Sequence, residues 1–295
     1  MKVPKRIEPL VEDGLVDEVL RPLMSGKEAA VYVVRCGEDI RCAKVYKEAD
    51  KRSFRQATEY QEGRKYRNSR QARAMVKGSR YGRQEREEAW QNAEVTALYR
   101  LANAGVRVPT PYTFLEGVLL MELITDEDGY AAPRLNDVVL EEQQAIDYHG
   151  RMITEVVRML CAGLVHGDLS EFNVLLAADG PVIIDLPQAV DAAGNNHAFR
   201  MLARDVENMA RYFGRFAPSL VGTQYAPEMW AIYQRGELTP DTRLTGHFDE
   251  PTAPADVRAV MQEIEAARRE EAQRQARLNP DESTTQDEPT PPWMQ

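Results

Sequence analysis

Residues 164–186 constrain the fold of this chain more than any other stretch. Two short apolar runs lie in it, Val174–Leu176 and Val182–Ile184, and residues 178–181 between them read Ala-Asp-Gly-Pro. Apolar runs of this length on either side of a Gly-Pro turn predict a buried β-hairpin. Residues just before and just after such a hairpin come to lie at the same end of it.

Three polar side chains flank the predicted hairpin: Asp168 and Asn173 precede it, and Asp185 follows it directly. Their oxygens are hard ligands of the kind that Mg²⁺ takes together with phosphate oxygens and water. With His166 they give the order His-x-Asp-x-x-x-x-Asn and then Asp after a hairpin, which is typical of a phosphoryl-transfer site. The alternative is a surface turn with incidental polar residues, and the joint spacing favours the phosphoryl-transfer site.

The whole chain, at 295 residues, is long enough for one large domain or two lobes, and its hydrophobic content of 43% is that of a globular protein. No apolar run approaches the ~18 residues of a membrane-spanning helix, and no apolar segment follows the basic N-terminus as in a secretory signal. Cys36, Cys42 and Cys161 are odd in number and lack Cys-x-x-Cys spacing, which disfavours disulfides and a zinc site. We therefore expect a cytoplasmic protein without a membrane partner.

Charge is unevenly distributed along the chain. The net charge of −10 disfavours a general affinity for nucleic acid. Between Arg41 and Glu88, however, 15 Lys/Arg stand against 7 Asp/Glu, a local excess of +8. Residues 48–86 are polar and lack apolar periodicity, so we interpret them as a flexible, partly ordered insertion. This basic insertion would suit RNA, an acidic partner or the chain's own phosphate ligand, and a solvated loop of mixed charge explains it equally well.

The N-terminal part predicts a helix and then β-strands. Apolar residues recur from Leu15 to Leu23 at helical spacing, which predicts a short amphipathic helix. Val31–Arg35 and Cys42–Tyr46 are typical of two antiparallel strands. Lys44, in the second strand, is either an edge lysine whose stem covers apolar surface or a lysine that binds the phosphates of ATP. The polar residues around the later hairpin favour the second interpretation.

A helix with a glycine after its C-terminus is predicted over Glu87–Asn103. Glu94 lies on it beside the apolar stripe, within reach of Lys44 if the two elements pack together. A helical Glu beside an apolar face is more often solvated than paired, so the sequence leaves this pairing as one of two alternatives.

A second hairpin is predicted over Phe114–Ile124, and residues 125–133 after it change sharply to Asp, Glu and Gly. We place the boundary between a β-rich N-terminal lobe and a helical C-terminal lobe in this linker. Adenine would then bind between the lobes and hydrogen-bond to main-chain groups of Glu122 and Ile124.

The C-terminal part predicts helices and then a polar tail. The helices are a long one ending at Gly163, a second over Ala198–Phe213 and a third over Tyr225–Arg235. Asp205 in the second helix either accepts hydrogen bonds from the loop that carries Asp168 or faces solvent beside an arginine. Residues from 266 onward are too polar to offset the entropy of ordering, so we expect a partly disordered tail.

Seven segments together resemble the RIO family of atypical protein kinases. They are Ser25-Gly-Lys-Glu-Ala, Ala43-Lys-Val-Tyr, Val108-Pro-x-Pro, Leu120-Met-Glu-Leu-Ile, His166-Gly-Asp-Leu-Ser-Glu-Phe-Asn, Ile184-Asp-Leu-Pro-Gln-Ala-Val and Arg204-Asp-x-x-Asn. The resemblance covers residues 10–240 and is strongest to the branch without an N-terminal winged helix. His-Gly-Asp with a later Asp also occurs in aminoglycoside and choline phosphotransferases, but the first and sixth segments favour the RIO family.

The resemblance implies an α+β, two-lobed protein-kinase-like fold, with a small β-rich N-terminal lobe and a mostly helical C-terminal lobe. We divide the chain accordingly into an N-terminal helical extension (1–22), an N-terminal lobe with the insertion (23–125), a C-terminal lobe (126–248) and a tail (249–295). Such proteins lack the usual Gly-rich loop and the long activation segment, and this sequence has no Gly-x-Gly-x-x-Gly.

Carried over by position, the family's catalytic residues fall on the polar residues already described. The resemblance implies that Asp168 is the catalytic base and that Asn173 and Asp185 hold the metal. It also implies that Lys44 contacts the phosphates and that Glu94 is its partner.

The family's nucleotide contacts fall on four further positions. Ser25 and Lys27 would lie over the phosphates, and Glu122 and Ile124 would supply the adenine contacts. One departure from the family pattern is Pro187, where a small residue is usual. Because proline fixes φ and removes an N–H, we expect a stiffer segment there.

The activity that the resemblance implies is that of a serine/threonine protein kinase, which uses ATP with Mg²⁺ or Mn²⁺ and also phosphorylates itself. Its partners would be a protein with a Ser or Thr acceptor and, at the basic insertion, a ribosomal particle or RNA. The alternative is an ATPase-type assembly factor in ribosomal-subunit maturation that forms an aspartyl-phosphate at Asp185. A small-molecule phosphotransferase and an inactive binding module are the remaining alternatives.

Overall fold

The computed structural model describes residues 3–26, 29–47 and 80–249, with the backbone alone described over 80–90. Its contacts divide the chain into two compact units, Met1–Phe248 and Asp249–Gln295, and the first is described below. Lys27, residues 48–79 of the predicted insertion and the predicted tail beyond Asp249 lie outside the described residues.

Five strands form the N-terminal sheet, in the order β1-β2-β3-β5-β4, and every neighbouring pair is antiparallel. The strands are β1 (Glu18–Ser25), β2 (Ala29–Cys36), β3 (Asp39–Tyr46), β4 (Pro111–Leu115) and β5 (Val118–Glu122). β3 lies at the centre, and Lys44 in it pairs with Val31 on one side and Leu119 on the other. The two predicted hairpins of this region are therefore confirmed, with slightly longer strands.

Both faces of the sheet are covered by other parts of the chain. Successive side chains along β3 point to opposite faces. Ala43 and Val45 pack with the short helix α1 (Glu8–Glu12). Tyr46 packs on the opposite face with apolar residues of the long helix α2 (Arg80–Asn103). Because Lys44 and Tyr46 are two residues apart, Lys44 also faces α2.

The prediction of an N-terminal helix that reaches Leu23 is wrong. α1 ends at Glu12, and β1 follows as an edge strand of the sheet. Pro22 gives the physical reason, because proline breaks a helix interior but is tolerated on an edge strand or at a bulge. The pairing of β1 with β2 accordingly shifts register on each side of Pro22. Part of the predicted extension, residues 1–22, thus belongs to the N-terminal sheet.

The C-terminal part is mostly helical, so the predicted α+β fold with a β-rich first lobe and a helical second lobe is confirmed. Its helices are α3 (Glu142–Cys161), α4 (Ala198–Phe213) and α5 (Tyr225–Gln234), with short 3-10 helices at Leu135–Asp137 and Pro218–Leu220. Two small antiparallel pairs complete it: β6 (Leu164–Val165) with β9 (Val190–Asp191), and β7 (Val174–Ala177) with β8 (Gly180–Ile183).

Helices α3 and α4 form the support for the β7–β8 hairpin. A capping box starts α3, in which the Glu141 N–H donates to the Gln144 side chain at 3.1 Å. The apolar faces of both helices join one core with Val174 and Ile183 of the hairpin. Burial of each such large side chain stabilises the fold by about 1.5–3 kcal/mol, so the hairpin is held firmly. None of the helices in the described part of the chain is long and apolar enough to cross a membrane.

Candidate active site

Lys44 is held between two carboxylates that come from different parts of the chain. Its Nζ lies 2.5 Å from Glu94 Oε1 and 3.1 Å from Asp185 Oδ1. The side chains of Lys44 and Glu94 are 13% and 5% exposed, whereas that of Asp185 is 47% exposed. Burial alone would lower the pKa of Lys44, but the two carboxylates outweigh burial and raise it. The lysine therefore stays charged, and it faces an accessible carboxylate.

Tyr46 completes the wall on which Lys44 lies. Lys44 Nζ lies 5.4 Å from the centre of its ring, a distance at which a cation is attracted to an aromatic face. Burial raises the pKa of the Tyr46 hydroxyl, and the nearby Glu94 raises it further. Tyr46 is therefore a neutral, fixed surface beside the charged pair.

The loop that carries Asp168 is fixed by a buried carboxylate. The N–H groups of Gly167 and Leu169 donate to Asp205 at 2.7 and 3.0 Å, and Asp205 is 1% exposed. The Asn208 side chain donates to the Leu169 carbonyl at 3.0 Å. Burial raises the pKa of Asp205 to about 7, while the two N–H donors oppose that rise. The anchoring interpretation of Asp205 is confirmed, and the solvent-facing alternative is wrong.

His166 ties this loop to the strand that leads to Asp185. Its Nε2 lies 3.1 Å from the Ile184 carbonyl, and its Nδ1 accepts from the Asp168 N–H at 3.3 Å. Burial lowers the pKa of His166, which favours a neutral ring with the proton on Nε2. The Ile184 N–H also donates to the Asn173 carbonyl at 3.0 Å. These bonds bring Asp168, Asn173 and Asp185 to one end of the hairpin.

Asp168 presents an accessible carboxylate with raised basicity. Burial raises its pKa, Arg204 lowers it and the neighbouring Asp185 raises it, and the net shift is upward. The Gln188 side chain donates to Asp168 Oδ2 at 3.3 Å, and the Asn173 amide donates to the Asp168 carbonyl at 2.9 Å. The bond from Gln188 thus orients the carboxylate, which remains open to solvent, and the bond from Asn173 fixes the main chain of Asp168.

Asp185 adopts an unusual backbone conformation. Its φ is 66°, in the left-handed region that few residues other than glycine enter, although Asp tolerates it better than most. The residues that follow, Leu186 and Pro187, are buried. A conformation of this kind persists when its surroundings fix it, and it is often found at functional sites.

The oxygen donors fit a divalent ion that is completed by nucleotide phosphates. No group of three or more His, Cys, Asp or Glu suited to a metal occurs among the described residues. Mg²⁺ commonly takes only one or two carboxylates and completes its shell with phosphate oxygens and water. Because Asn173 uses its amide nitrogen on Asp168, its oxygen remains for a ligand. Asp185 likewise uses one oxygen on Lys44 and keeps the other.

Ser25 lies at the exposed end of β1, where the resemblance places a contact to phosphates. Lys47 reaches this turn and donates to Ser25 Oγ at 3.2 Å and to the Gly26 carbonyl at 2.6 Å. The turn is thereby tied to the end of β3. Lys27, the other residue expected over the phosphates, lies outside the described residues.

Glu122, one of the two residues expected at adenine, has an additional role that the sequence did not predict. Its carboxylate accepts two hydrogen bonds from the Arg107 guanidinium, both at 3.1 Å, and others from the N–H and hydroxyl of Thr110. Burial raises the pKa of this carboxylate. The hydrogen bonds, those from Arg107 above all, outweigh burial, and the net shift of the pKa is downward. Its N–H donates to the Thr110 carbonyl, so that group is not available to adenine.

Ile124 belongs to a small apolar cluster at the linker between the lobes. The cluster also contains Ala132, Leu175, Ala177 and Val182. The Ile124 carbonyl accepts from the Ala132 N–H at 3.0 Å. The cluster provides an apolar surface of the kind against which a purine ring packs.

Arg204 and Gln188 contact the same loop; both lie in segments that carry the family resemblance, but neither was given a role from the sequence. Arg204 donates to the Gly167 carbonyl, and Gln188 donates to Asp168 as described. Arg204 precedes Asp205 in the sequence. An Arg-Asp pair alone does not reveal that the arginine donates to a carbonyl of this loop while the aspartate accepts from its N–H groups.

Comparison with known proteins agrees with this arrangement. The model of the RIO domain matches residues 30–226. The chain is 37% identical over 212 residues to a protein of Haloferax volcanii named RIO-type serine/threonine-protein kinase Rio1, and the match covers 71% of this chain and 68% of that protein. It is 30% identical over 243 residues to serine/threonine-protein kinase rio1 of Dictyostelium discoideum and 31% identical over 214 residues to serine/threonine-protein kinase RIO1 of Homo sapiens.

The two eukaryotic relatives are much longer than the matched region. The matches cover 79% and 70% of this chain but only 38% and 35% of those proteins. All three relatives carry the name of a serine/threonine protein kinase, which does not favour the ATPase-type alternative.

Proposed function

This chain belongs to the RIO family of atypical serine/threonine protein kinases, and from that premise we propose that it transfers the γ-phosphoryl group of ATP to Ser or Thr hydroxyls of a protein, its own chain included. The observation that carries the proposal is the placement of Lys44 between Glu94 and Asp185. A charged lysine next to an accessible carboxylate, at the junction of a sheet and a helical lobe, is the arrangement that phosphoryl transfer from a nucleotide needs.

Lys44 would bind and orient the phosphates. Glu94 is almost fully buried and holds the ammonium group from the side of α2, so the lysine does not have to be ordered when the nucleotide arrives. Pre-ordering of this kind saves the side-chain entropy that binding would otherwise cost. Ser25 and Lys27 would cover the phosphates, and Ile124 with the remaining main-chain groups of Glu122 would contact adenine.

Asp168 would accept the proton of the attacking hydroxyl. As the hydroxyl oxygen bonds to the γ-phosphorus, the bond from that phosphorus to the bridging oxygen breaks and ADP leaves. The proton passes to the Asp168 carboxylate, whose raised pKa makes it a better acceptor than a free aspartate. Gln188 would keep this carboxylate oriented and Asn173 would hold the main chain of Asp168, so most of the rate enhancement comes from positioning and electrostatics.

The family implies ATP and a divalent metal. We propose Mg²⁺, with Mn²⁺ as a substitute, held by the oxygens of Asn173 and Asp185. The bound ion would supply charge neutralisation at the phosphates. The chain's own contribution is the pair of oxygen donors that His166 and the β7–β8 hairpin bring together.

The proposal also covers the location of the protein, the boundary between its lobes and a second partner. A cytoplasmic location agrees with the free thiols of Cys36, Cys42 and Cys161. The lobe boundary at residues 125–126 agrees with the position of the Ile124 cluster between sheet and helices. Binding of a ribosomal particle or RNA rests on the charge of the insertion alone.

The test incubates the full chain with Mg²⁺ and γ-labelled ATP and follows label on protein and free phosphate together. We expect label on Ser or Thr that resists both acid and hydroxylamine, located by mass spectrometry. Label that hydroxylamine removes, or phosphate release without any protein labelling, would contradict protein-kinase activity. The exposed variant Asp147→Asn serves as a control that should label normally.

A further inference from the structure

A cavity of about 490 Å³ lies beside the connector between α2 and β4. We call it the Arg107 pocket, and the charged and hydroxyl side chains that line it include Arg107, Thr110, Arg151, Glu155, Arg158 and Asp179. None of the residues around Lys44 lines it. Its volume lies within the range of small-molecule sites, roughly 300–1,000 Å³.

The pocket carries a small positive charge in an acidic chain. Three arginines and two carboxylates line it, which leaves a net +1, whereas the whole chain carries −10. The guanidinium of Arg107 is already bonded within the protein, because it donates twice to Glu122 and once to Asp179 at 3.2 Å. The cationic groups that remain for a ligand are therefore Arg151 and Arg158.

Arg151 is fixed against the tip of the β7–β8 hairpin. Its Nη1 donates to the Asp179 carbonyl at 2.7 Å. Gly180 has φ 124°, and a Cβ added there would lie 2.6 Å from that same nitrogen. A side chain at position 180 would displace the tip of the arginine, so this close approach of the guanidinium to the backbone depends on glycine.

Arg158 lies two turns further along the same face of α3. It donates to Glu155 Oε1 at 2.7 Å, and the other oxygen of Glu155 accepts the Arg107 N–H at 2.8 Å. A guanidinium carries five N–H donors. Within the part of the chain that the structure describes, Arg151 and Arg158 each donate a single hydrogen bond, so both have donors for a ligand.

We propose that the Arg107 pocket binds a phosphate monoester. The phosphate would pair with Arg151, whose planar fork suits such an anion, and Arg158 would contact its polar remainder. A phosphate ester has three acceptor oxygens and close to two negative charges, so it uses more of the available donors than a carboxylate does. The apolar wall formed by Ala102, Val106, Val108 and Pro181 would cover the carbon skeleton of the ligand.

The pocket is bonded directly to the segments that lead to the proposed nucleotide site. Arg107 holds the Glu122 carboxylate, and its carbonyl accepts from the Ile183 N–H at 3.0 Å, two residues before Asp185. A ligand on Arg151 and Arg158 would act on Arg107 through Asp179 and Glu155, which Arg107 also bonds, and would thereby shift both segments. Binding itself does not depend on the proposed function, but a coupling to ATP affinity rests on it, and such coupling must be reciprocal.

The test titrates the full chain with O-phosphoserine and with glucose 6-phosphate, followed by calorimetry at low salt, with serine, which lacks the phosphate, as the comparison. We expect saturable binding of a phosphate ester and none of serine. Preference between the two esters tells whether a phosphorylated residue or a free sugar phosphate suits the apolar wall. Arg151→Ala should weaken binding at least about tenfold, because a charge-assisted bond is lost.

Arg211→Ala is the matched control, since Arg211 is an exposed helical arginine paired with Glu207 outside the pocket. It should bind the ester as the wild type does. Absence of saturable binding, equal binding by Arg151→Ala, or mutually exclusive binding of the ester and a non-hydrolysable ATP analogue would overturn the proposal. Binding of that analogue, measured in the same samples, reports separately on the proposed nucleotide site.

Discussion

Lys44 Nζ and Asp185 Oδ1 lie 3.1 Å apart although 141 residues separate them in the chain. The pair joins the central strand of the N-terminal sheet to the residue that follows the β7–β8 hairpin. Because the Asp185 side chain is only half-buried, the site around this bond remains accessible to a ligand. A nucleotide phosphate that enters here would meet the ammonium group directly, and this relationship underlies the predictions below.

Glu94→Gln tests whether the buried carboxylate orders Lys44. The change keeps the size of the side chain, and the bond from the ammonium group to an uncharged amide is weaker than the charge-assisted bond of 2.5 Å to the carboxylate. Such bonds are worth about 1.5–3 kcal/mol, so we expect ATP affinity to fall by about tenfold or more. Calorimetric titration with ATP measures the effect, and Glu142→Gln on the exposed face of α3 is the control. Unchanged ATP affinity in Glu94→Gln would show that Lys44 does not depend on this partner.

Gln188→Ala tests the orientation of Asp168. Removal of the 3.3 Å bond leaves the carboxylate less constrained, so kcat should fall several-fold while KM for ATP stays the same. A donor to a carboxylate stabilises its charged form, so its loss should raise the pKa of Asp168 further. The acid limb of the kcat profile should therefore move to higher pH. An unshifted limb, compared with the exposed control Gln143→Ala, would argue against this role.

His149 should make the fold sensitive to acid. It is buried between Phe213 and Tyr225, each about 5.7 Å from its ring centre, and burial lowers its pKa from 6.5 to about 4. In the unfolded chain His149 gains its proton near pH 6.5, whereas in the folded chain it does so only near pH 4. Stability should therefore fall as pH falls through that window.

The size of this effect follows from the shift in pKa and amounts to about 3 kcal/mol at most. Urea denaturation at pH 7.0, 5.5 and 4.5 measures it. In His149→Phe the aromatic contacts remain but the titrating group is absent, so its stability should decline less steeply. Equal declines in both proteins would place the acid sensitivity elsewhere.

The parts of the fold that depend on local pattern could be predicted from the sequence. The helix α4 over Ala198–Phe213 and the β7–β8 hairpin follow from apolar periodicity and from a Gly-Pro turn. The segment from Leu15 to Leu23 shows the limit of such patterns. Its apolar spacing suits a helix, but Pro22 and the open edge of a sheet decide for a strand.

Contacts between distant segments could not be predicted in this way. Lys44 and Glu94 are 50 residues apart, and only the packing of α2 on the sheet brings them together. The bonds from Arg107 to Glu122 and from Gln188 to Asp168 likewise depend on tertiary structure. The family resemblance predicted that Lys44 and Glu94 are partners. Nothing in the sequence indicated that Arg107 contacts Glu122 or that Gln188 contacts Asp168.

The most direct test of phosphoryl transfer at this site is the single-turnover rate of label transfer from ATP to protein in Asp168→Asn. The variant keeps the shape of the side chain but cannot accept the proton. The account predicts a loss of about 10²-fold or more in rate. It also predicts ATP affinity close to that of the wild type and a normal rate in Asp147→Asn. Transfer at the wild-type rate in Asp168→Asn would contradict it.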